Sequence, residues 1–251
     1  MIQLAKDERL DYLPIQNLQI IQSETIFSFS LDAVLLAQFA WLPLKQGKIM
    51  DLCTGNGAIP LLLSTRTRAK IEGLEIQERV VDMAVRSVYL NDKEDQIKIY
   101  PLDIKAAPAY FERNSYDVIT CNPPYLPVQQ GEINLNPHVA VARHELLCTL
   151  EDVLLTASRL LRPKGRLALV HRPSRLADLF TLMRRYQLEP KRMCLVYPKE
   201  DKPPNMVLIE GLKQGQAELT LLPPLIVYGP DNRYTPQMHR IFQGQQTVGG
   251  I

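Results

Sequence analysis

The sequence predicts an α/β fold, a mostly parallel, doubly wound sheet that ends in an antiparallel hairpin. Three observations predict it. From Gly47 onward, apolar runs of four to six residues alternate with helical patterns, the rhythm of βα units. The first run turns through Asp51-Leu-Cys-Thr-Gly-Asn-Gly57 directly into a helical segment, as ligand-binding βα turns do. The last two runs, Lys191–Tyr197 and Met206–Leu212, are joined by a proline-bearing loop with no room for a crossover helix, so they pair antiparallel.

Residues 1–30 carry Pro14 and an apolar–polar alternation from Leu18 to Gln22, which reads as loop and a short hairpin. Leu31–Leu42 reads as a helix with Ser30 as N-cap and Asp32 in the first turn, where the helix dipole favours an acid. The first core strand is Lys48–Cys53, with a helix from Gly57 to Thr67. The second is Lys70–Ile76, with a helix from Glu78 to Leu90 whose Val81, Ala84, Val85 and Val88 form one apolar stripe. Strands follow at Ile97–Leu102 and Tyr116–Cys121, and then a polar, proline-bearing loop to His144. Thr149-Leu-Glu-Asp152 opens a helix as a capping box, and Pro163 and Gly165 end it. A fifth strand covers Arg166–His171, and Ser174–Tyr186 forms a helix on Leu176, Leu179, Phe180 and Met183. Residues 215–251, rich in glutamine and glycine with four prolines, read as a partly ordered tail. The chain reads as one domain, with 1–46 capping the ligand site, 47–214 as catalytic core and 215–251 as tail.

Composition narrows the class. The chain has 251 residues, 46% hydrophobic and 22% charged, ordinary figures for a soluble protein with a sizeable core. A net charge of +2 excludes a uniformly basic, chromatin-like protein. Cys53, Cys121, Cys148 and Cys194 form no CxxC pair and the histidines are dispersed, so neither a disulfide scaffold nor a metal site is expected. The N-terminus has acids where a signal peptide needs a basic region and an apolar run. The longest apolar stretch, Ala33–Leu44, is broken by Gln38 and falls short of the ~20 residues that span a bilayer. The expectation is a cytoplasmic protein with reduced thiols and no membrane partner.

The residues at the carboxyl ends of the strands carry the chemistry. Gly55 and Gly57 let the backbone bend sharply and approach a ligand at a helix N-terminus. The dinucleotide pattern GxGxxG is absent, because Pro60 stands at its third glycine. Asp51 at the turn repels a pyrophosphate and attracts a cation, which favours S-adenosyl-L-methionine, with its sulfonium and ammonium, over NAD. Glu75 ends the second strand, placed to accept hydrogen bonds from two ribose hydroxyls, and Asp103 ends the third, within reach of an adenine amino group. Each acid alone also reads as a solvated strand end; the three together point to a cofactor.

The fourth strand ends in Asn122-Pro-Pro-Tyr125. Two consecutive prolines fix φ and remove two donors, leaving carbonyls with restricted directions. An aromatic amino group delocalises its lone pair into the ring and is a poor nucleophile. Two acceptors, the Asn122 side-chain oxygen and the Pro123 carbonyl, can bind its two N–H groups and draw the nitrogen towards tetrahedral geometry. Methyl transfer is then an in-line displacement governed by placement and electrostatics, with no dedicated general base. Tyr125 is placed to stack on a flat substrate.

These stretches resemble class I S-adenosylmethionine-dependent amino-group methyltransferases, whose sheet is Rossmann-like. Phe29–Ala37, Asp51–Leu63 and Cys121–Tyr125, with Gly73–Gln77, Met83–Val88 and Arg233-Tyr-Thr-Pro236, resemble more narrowly the bacterial tRNA1(Val) adenine N6-methyltransferases, which modify the adenine 3′ of the anticodon. The resemblance implies that Thr54, Gly55, Asn56, Gly57, Glu75 and Asp103 hold the cofactor, with Ser30 and Asp32 near its methionine end, and that tRNA is the substrate. Cys53 departs from the glycine usual in the wider superfamily. Asn-Pro-Pro-Tyr is shared with glutamine N5-methyltransferases of release factors, and ribosomal guanine N2-methyltransferases have a related motif. A catalytically silent cofactor- or RNA-binding module is the non-enzyme alternative.

The +2 sum hides two opposed parts. Residues 1–158 have 14 Lys and Arg against 20 Asp and Glu, a balance of −6, and residues 159–251 have 15 against 7, a balance of +8. Arg159, Arg162, Lys164, Arg166, Arg172, Arg175, Arg184, Arg185, Lys191 and Arg192 concentrate the excess in 159–192, either as solvated helix faces or as a footprint for a phosphate backbone. His138, Arg143 and His144, in the loop after Tyr125, are further candidates to touch RNA.

Overall fold

The computed structural model describes residues 2–26, 29–123 and 148–249. Strands β1 (Glu8–Tyr12) and β2 (Gln19–Ser23) form an antiparallel hairpin, followed by α1 (Leu31–Phe39). The core alternates β3 (Lys48–Leu52), α2 (Ala58–Ser64), β4 (Lys70–Glu75), α3 (Glu78–Leu90), β5 (Ile97–Pro101), the short α4 (Ala107–Tyr110) and β6 (Tyr116–Cys121). After the undescribed stretch come α5 (Leu150–Leu160), β7 (Leu161–His171), α6 (Leu176–Arg185), β8 (Leu188–Tyr197) and β9 (Met206–Lys213). Two short strands, β10 (Thr220–Leu221) and β11 (Leu225–Ile226), precede α7 (Pro236–Phe242).

The sheet order is β10-β8-β9-β7-β6-β3-β4-β5, with β11 also on β8. Strands β5, β4, β3, β6 and β7 are parallel, and β9 runs antiparallel between β7 and β8, as the short 198–205 connection requires. The chain runs outward from β3 to β5 and then crosses back to β6, so strand order reverses between β3 and β6. Ligands of open α/β sheets bind outside the carboxyl ends at such a switch point.

Alternation along the strands divides the core. Ile49, Val118, Ala168 and Val170 face a cluster with α1 and α2, whereas Met50, Ile119, Leu167 and Leu169 face one with α5 and α6. The capping box of α5 forms as its sequence predicts: Thr149 Oγ1 accepts the Asp152 N–H at 3.2 Å, and an Asp152 carboxylate oxygen accepts the Thr149 N–H at 3.0 Å. Ser30 occupies the N-cap position of α1 without capping it, because its hydroxyl bonds Asp32 instead.

Several boundaries differ from expectation: α1 ends at Phe39, β8 begins at Leu188 and α6 covers Leu176–Arg185. Helix α5 ends at Leu160, and Leu161–Gly165 joins β7 through an irregular register between Tyr116 and Val118, with Lys164 at φ +63°. A Cβ on Gly165 would lie 2.8 Å from the Arg162 carbonyl oxygen, so the glycine serves a tight bend in the strand rather than a helix stop. Helix α2 stops at Ser64. Residues 215–249 are ordered: β10 and β11 pair with β8, and Leu225, Val227, Met238, Ile241 and Val248 are buried against the α1 side of the core. Those apolar residues are widely spaced among Gly, Pro and Gln, so no periodicity announces them.

The carboxyl end of α1 is held by charge. Arg66 donates to the Ala37 and Ala40 carbonyls, and Arg192 donates to Phe39. Glu210, fully buried, accepts from Arg192 at 3.1 Å, from Arg166 at 2.5 Å and from the Trp41 N–H at 3.0 Å. Glu210→Ala leaves the buried Arg192 guanidinium without its carboxylate and should cost about 3–5 kcal/mol of stability in urea denaturation. Arg233→Ala, at the exposed pair with Asp231, should cost no more than about 1 kcal/mol in the same measurement.

Candidate functional site

A cavity of about 520 Å³ opens at the switch point, between the carboxyl ends of β3–β5 and those of β6 and β7. Its first wall is the β3–α2 turn, in which Cys53, Gly55 and Gly57 take left-handed φ of +56°, +57° and +84°. The alternation folds the turn back on itself: the Thr54 N–H donates to Leu74 O at 2.9 Å and the Gly57 N–H to Thr54 O at 3.1 Å. A Cβ on Gly55 would meet nothing within 4 Å, so this glycine serves conformation and leaves the space above the turn open. One on Gly57 would press within 3.3 Å of Ala84 Cβ, so that glycine lets α3 approach. Cys53 adopts the conformation that favours glycine, which accounts for the residue usual there in the superfamily it resembles.

Glu75 organises this wall. It is buried at the end of β4, and its two oxygens accept the Gly55 N–H at 3.1 Å and the Gln77 N–H at 2.9 Å. Burial raises its pKa above the ordinary carboxylate value, opposed by those backbone hydrogen bonds. Asp103 lies beyond β5 and accepts the Lys105 N–H at 2.9 Å. From the opposite side, the segment before α1 contributes Phe29, Ser30 and Asp32.

Of the residues chosen from the sequence, Ser30, Asp32, Thr54, Gly55, Asn56, Glu75, Asp103, Asn122 and Pro123 line this one cavity. Asp51 and Gly57 do not line it. Asp51 is fully buried beneath the turn; one oxygen accepts the Thr120 hydroxyl at 2.6 Å, and the Thr54 hydroxyl also faces the carboxyl. Burial pushes its pKa up to about 7, the Thr120 hydrogen bond opposing and the Glu75 charge adding to the rise. Pro124, Tyr125, His138, Arg143 and His144 lie outside the described residues.

The far end of the cavity was not foreseen. His171 and Arg172, at the carboxyl end of β7, line it with Asn205 and Met206 from the β8–β9 connection. His171 Nδ1 accepts the Arg172 N–H at 2.9 Å, and Arg172 Nη1 donates to Asn205 O at 3.2 Å. Burial, reinforced by Arg175, lowers the His171 pKa to about 4, so the ring is neutral at pH 7. The strand-end rule that selected Glu75 and Asp103 also applies to β7, whereas Asn205 follows an antiparallel strand and obeys no such rule.

The basic stretch 159–192 is largely matched by acids. Arg162 pairs with Asp117, Arg166 and Arg192 with Glu210, Arg175 with Asp178, Arg184 with Glu189, Arg185 with Glu151 and Lys191 with Glu218. Seven of the ten cations therefore have a carboxylate within 4.0 Å, and Arg192 is buried, so it belongs to the core and not to a basic surface.

The methyltransferase domain family matches residues 44–216, so fold and switch-point cavity together define a methyltransferase. A solved structure from Agrobacterium tumefaciens, described as a predicted O-methyltransferase, shares the fold at a TM-score of 0.69 and 23% identity, covering 86% of this chain and 97% of that one. Among curated relatives, the tRNA1(Val) (adenine(37)-N6)-methyltransferase of Tolumonas auensis is 30% identical over 87% of this chain and 89% of its own length. The protein of that name from Parabacteroides distasonis is 31% identical over 71% of this chain and 74% of its own. The chain belongs to this family of tRNA1(Val) (adenine(37)-N6)-methyltransferases. No helix among the described residues is long and apolar enough to cross a membrane.

The raised Asp51 makes a pH-dependent prediction. A carboxyl that ionises near 3.9 when unfolded and near 7 when folded makes the folded state bind more protons between those values. Its stability contribution is therefore lost as pH rises from about 4 to 7, a cost of about 4 kcal/mol above pH 7. In urea denaturation without ligand, Asp51→Asn should be the more stable protein at about pH 8, the gap closing as pH falls to about 4.

Proposed function

We propose that this protein transfers the methyl group of S-adenosyl-L-methionine to N6 of an adenine in tRNA, the adenine 3′ of the anticodon in valine tRNA. The observation that carries the reading is the position of Asn122 and Pro123, at the carboxyl end of β6, in the same cavity as Gly55 and Glu75. Family membership sets the substrate class.

The cavity suits the cofactor on charge and shape. Asp32, Glu75 and Asp103 line it and Asp51 lies beneath, an acidic wall that attracts a sulfonium and ammonium and repels phosphate. Glu75 lines the cavity at the end of β4, where its carboxylate is placed to accept ribose hydroxyls. Asp103 meets the adenine amino group, and Ser30 and Asp32 meet the methionine end. Thr54, Gly55 and Asn56 hold the cofactor directly, while Asp51 and Gly57 support it through the turn. The ligand's positive charge also lowers the cost of leaving Asp51 ionised.

When bound, S-adenosylmethionine supplies a methyl group on a cationic sulfur. The Asn122 side-chain oxygen and the Pro123 carbonyl accept the two N–H groups of the target amine, localising its lone pair towards that methyl. Placement and electrostatics lower the barrier. Pro124 stiffens the acceptor turn and Tyr125 stacks on the base. The adenine leaves its stack to enter, a smaller cost in an anticodon loop than in a duplex. Residues 47–214 form the catalytic core, 1–46 cap it, and within the 215–251 tail β10 and β11 brace the β8 edge. The site of action is the cytoplasm, where tRNA and reduced thiols occur together.

Tritium transfer from labelled cofactor to valine tRNA lacking the modification tests the reading. The native protein should label it, and Asn122→Ala should lower kcat by about 10²–10³-fold. The same variant should keep its affinity for S-adenosylhomocysteine within a few-fold in calorimetry. Labelling of a release factor instead of tRNA overturns the substrate, and full activity of the variant overturns the mechanism.

A further inference from the structure

One chemical feature of the cavity has no part in methyl transfer. Cys53 and Cys148 both line it, with their sulfurs 4.0 Å apart. They come from different elements: Cys53 belongs to the β3–α2 turn, beside Thr54 and Gly55, and Cys148 directly precedes the Thr149 cap of α5. Cys121 lies near them on β6, but it is fully buried and does not line the cavity. A small molecule entering the cavity therefore meets two thiols, not three.

We propose that Cys53 and Cys148 form a dithiol site that small-molecule disulfides oxidise to an intramolecular disulfide, closing the cavity to its ligand. The separation is that of a reduced pair in contact, and bonding requires the sulfurs to move from 4.0 Å to about 2 Å. One thiolate attacks the incoming disulfide; its S–S bond breaks and one small thiol departs. The second thiolate then attacks the mixed disulfide and expels the other small thiol. Two cysteine thiols are oxidised, one small disulfide is reduced to two thiols, and those thiols take up the two protons.

The consequence follows from where the sulfurs are anchored. Thr149 and Asp152 fix the chain just after Cys148, so the new bond draws on the turn. Cys53 already holds a left-handed conformation, and its movement carries Thr54 and Gly55, the residues that leave the cavity open. A group at the mouth of the Gly55 wall is lost to the ligand.

The charges facing the pair set its reactivity. Glu75 faces Cys53, Asp103 and Asp152 face Cys148, and Asp51 faces Cys121. A neighbouring thiol first, Cys121 for Cys53 and Cys53 for Cys148, then burial and these acids hold both thiols above the ordinary cysteine pKa, with the Cys148 hydrogen bond opposing the rise at Cys53. The pair stays protonated and reduced at neutral pH, and its oxidation accelerates as pH rises.

The test uses the full chain and glutathione disulfide at about pH 9, where a larger share of these raised thiols is ionised than at neutral pH. The intact mass should fall by about 2 Da, and peptide mapping after alkylation of the remaining thiols should show a peptide joining Cys53 to Cys148. Affinity for S-adenosylhomocysteine should fall at least about tenfold in calorimetry and return on reduction with dithiothreitol. Cys148→Ser and Cys53→Ala should each keep the affinity they show before oxidation. A lasting glutathione adduct without the crosslink, a crosslink to Cys121, or a Cys53–Cys148 bond with unchanged affinity overturns the proposal. The loss of affinity rests on the proposed cofactor. If the reduced protein does not bind S-adenosylhomocysteine, that reading fails, while the crosslinked mass still decides the dithiol.

Discussion

Glu75 is the residue through which the site is assembled. One carboxylate receives the Gly55 N–H from the β3–α2 turn and the Gln77 N–H from the segment entering α3, so a strand, a turn and a helix start converge on it. A buried carboxylate is costly unless hydrogen-bonded. The backbone amides that satisfy it are those the turn must direct inward, and the turn can direct them only by alternating left-handed residues at 53, 55 and 57. The strain of Cys53 and the burial of Glu75 are thus two sides of one arrangement. Its electrostatic result is a second buried acid, Asp51, close enough for Glu75 to help raise its pKa. Two neighbouring buried carboxyls with few cations are poorly stabilised alone and well suited to a cationic ligand.

The other side of the cavity depends on a separate constraint. Every residue of α1 from Ala33 to Phe39 is buried, so the helix has little freedom to adjust by exposing a face. Its last carbonyls would be unsatisfied in that setting. Arg66 and Arg192 satisfy them, and Glu210 balances the second guanidinium from inside the sheet. The anchorage at the carboxyl end fixes the opposite end, where Ser30 and Asp32 meet the cavity. Charge from β8 and β9 therefore positions residues some 160 positions earlier in the chain.

Local physics was legible in the sequence, and tertiary matching was not. The βα rhythm, the α5 capping box, the glycine turn and the strand-end residues Glu75, Asp103 and Asn122 all depend on neighbours in the chain, and each appears where its pattern places it. For Asp51 the pattern alone does not separate a strand's last inward position from its ligand-facing edge, one or two residues apart; the register with Thr120 places it beneath the turn. The 215–249 segment misleads for another reason: its buried residues act singly, on an edge that exists only once β8 has formed. The charge runs hid their partners because Asp117 and Glu151 lie far before the arginines they meet.

That pairing changes how the two opposed halves of the chain are to be understood. Where Arg162 meets Asp117 and Arg185 meets Glu151, acid from one half cancels base from the other, at surface sites worth little in stability and of short electrostatic reach. Among the described residues only these two pairs join the halves, so most of the opposition remains, and a polarity of the same kind lies inside the cavity. Asp32, Glu75 and Asp103 lie towards β3–β5, while Arg172, beside a neutral His171, stands towards β7. Asn122 lies between them. A cationic methyl donor and a polyanionic acceptor need opposite fields within the length of one methyl transfer, and a sheet that changes direction between β3 and β6 offers two separate strand-end sets to supply them. A net charge near zero is therefore compatible with such a protein, because a sum does not record where the acids and bases stand.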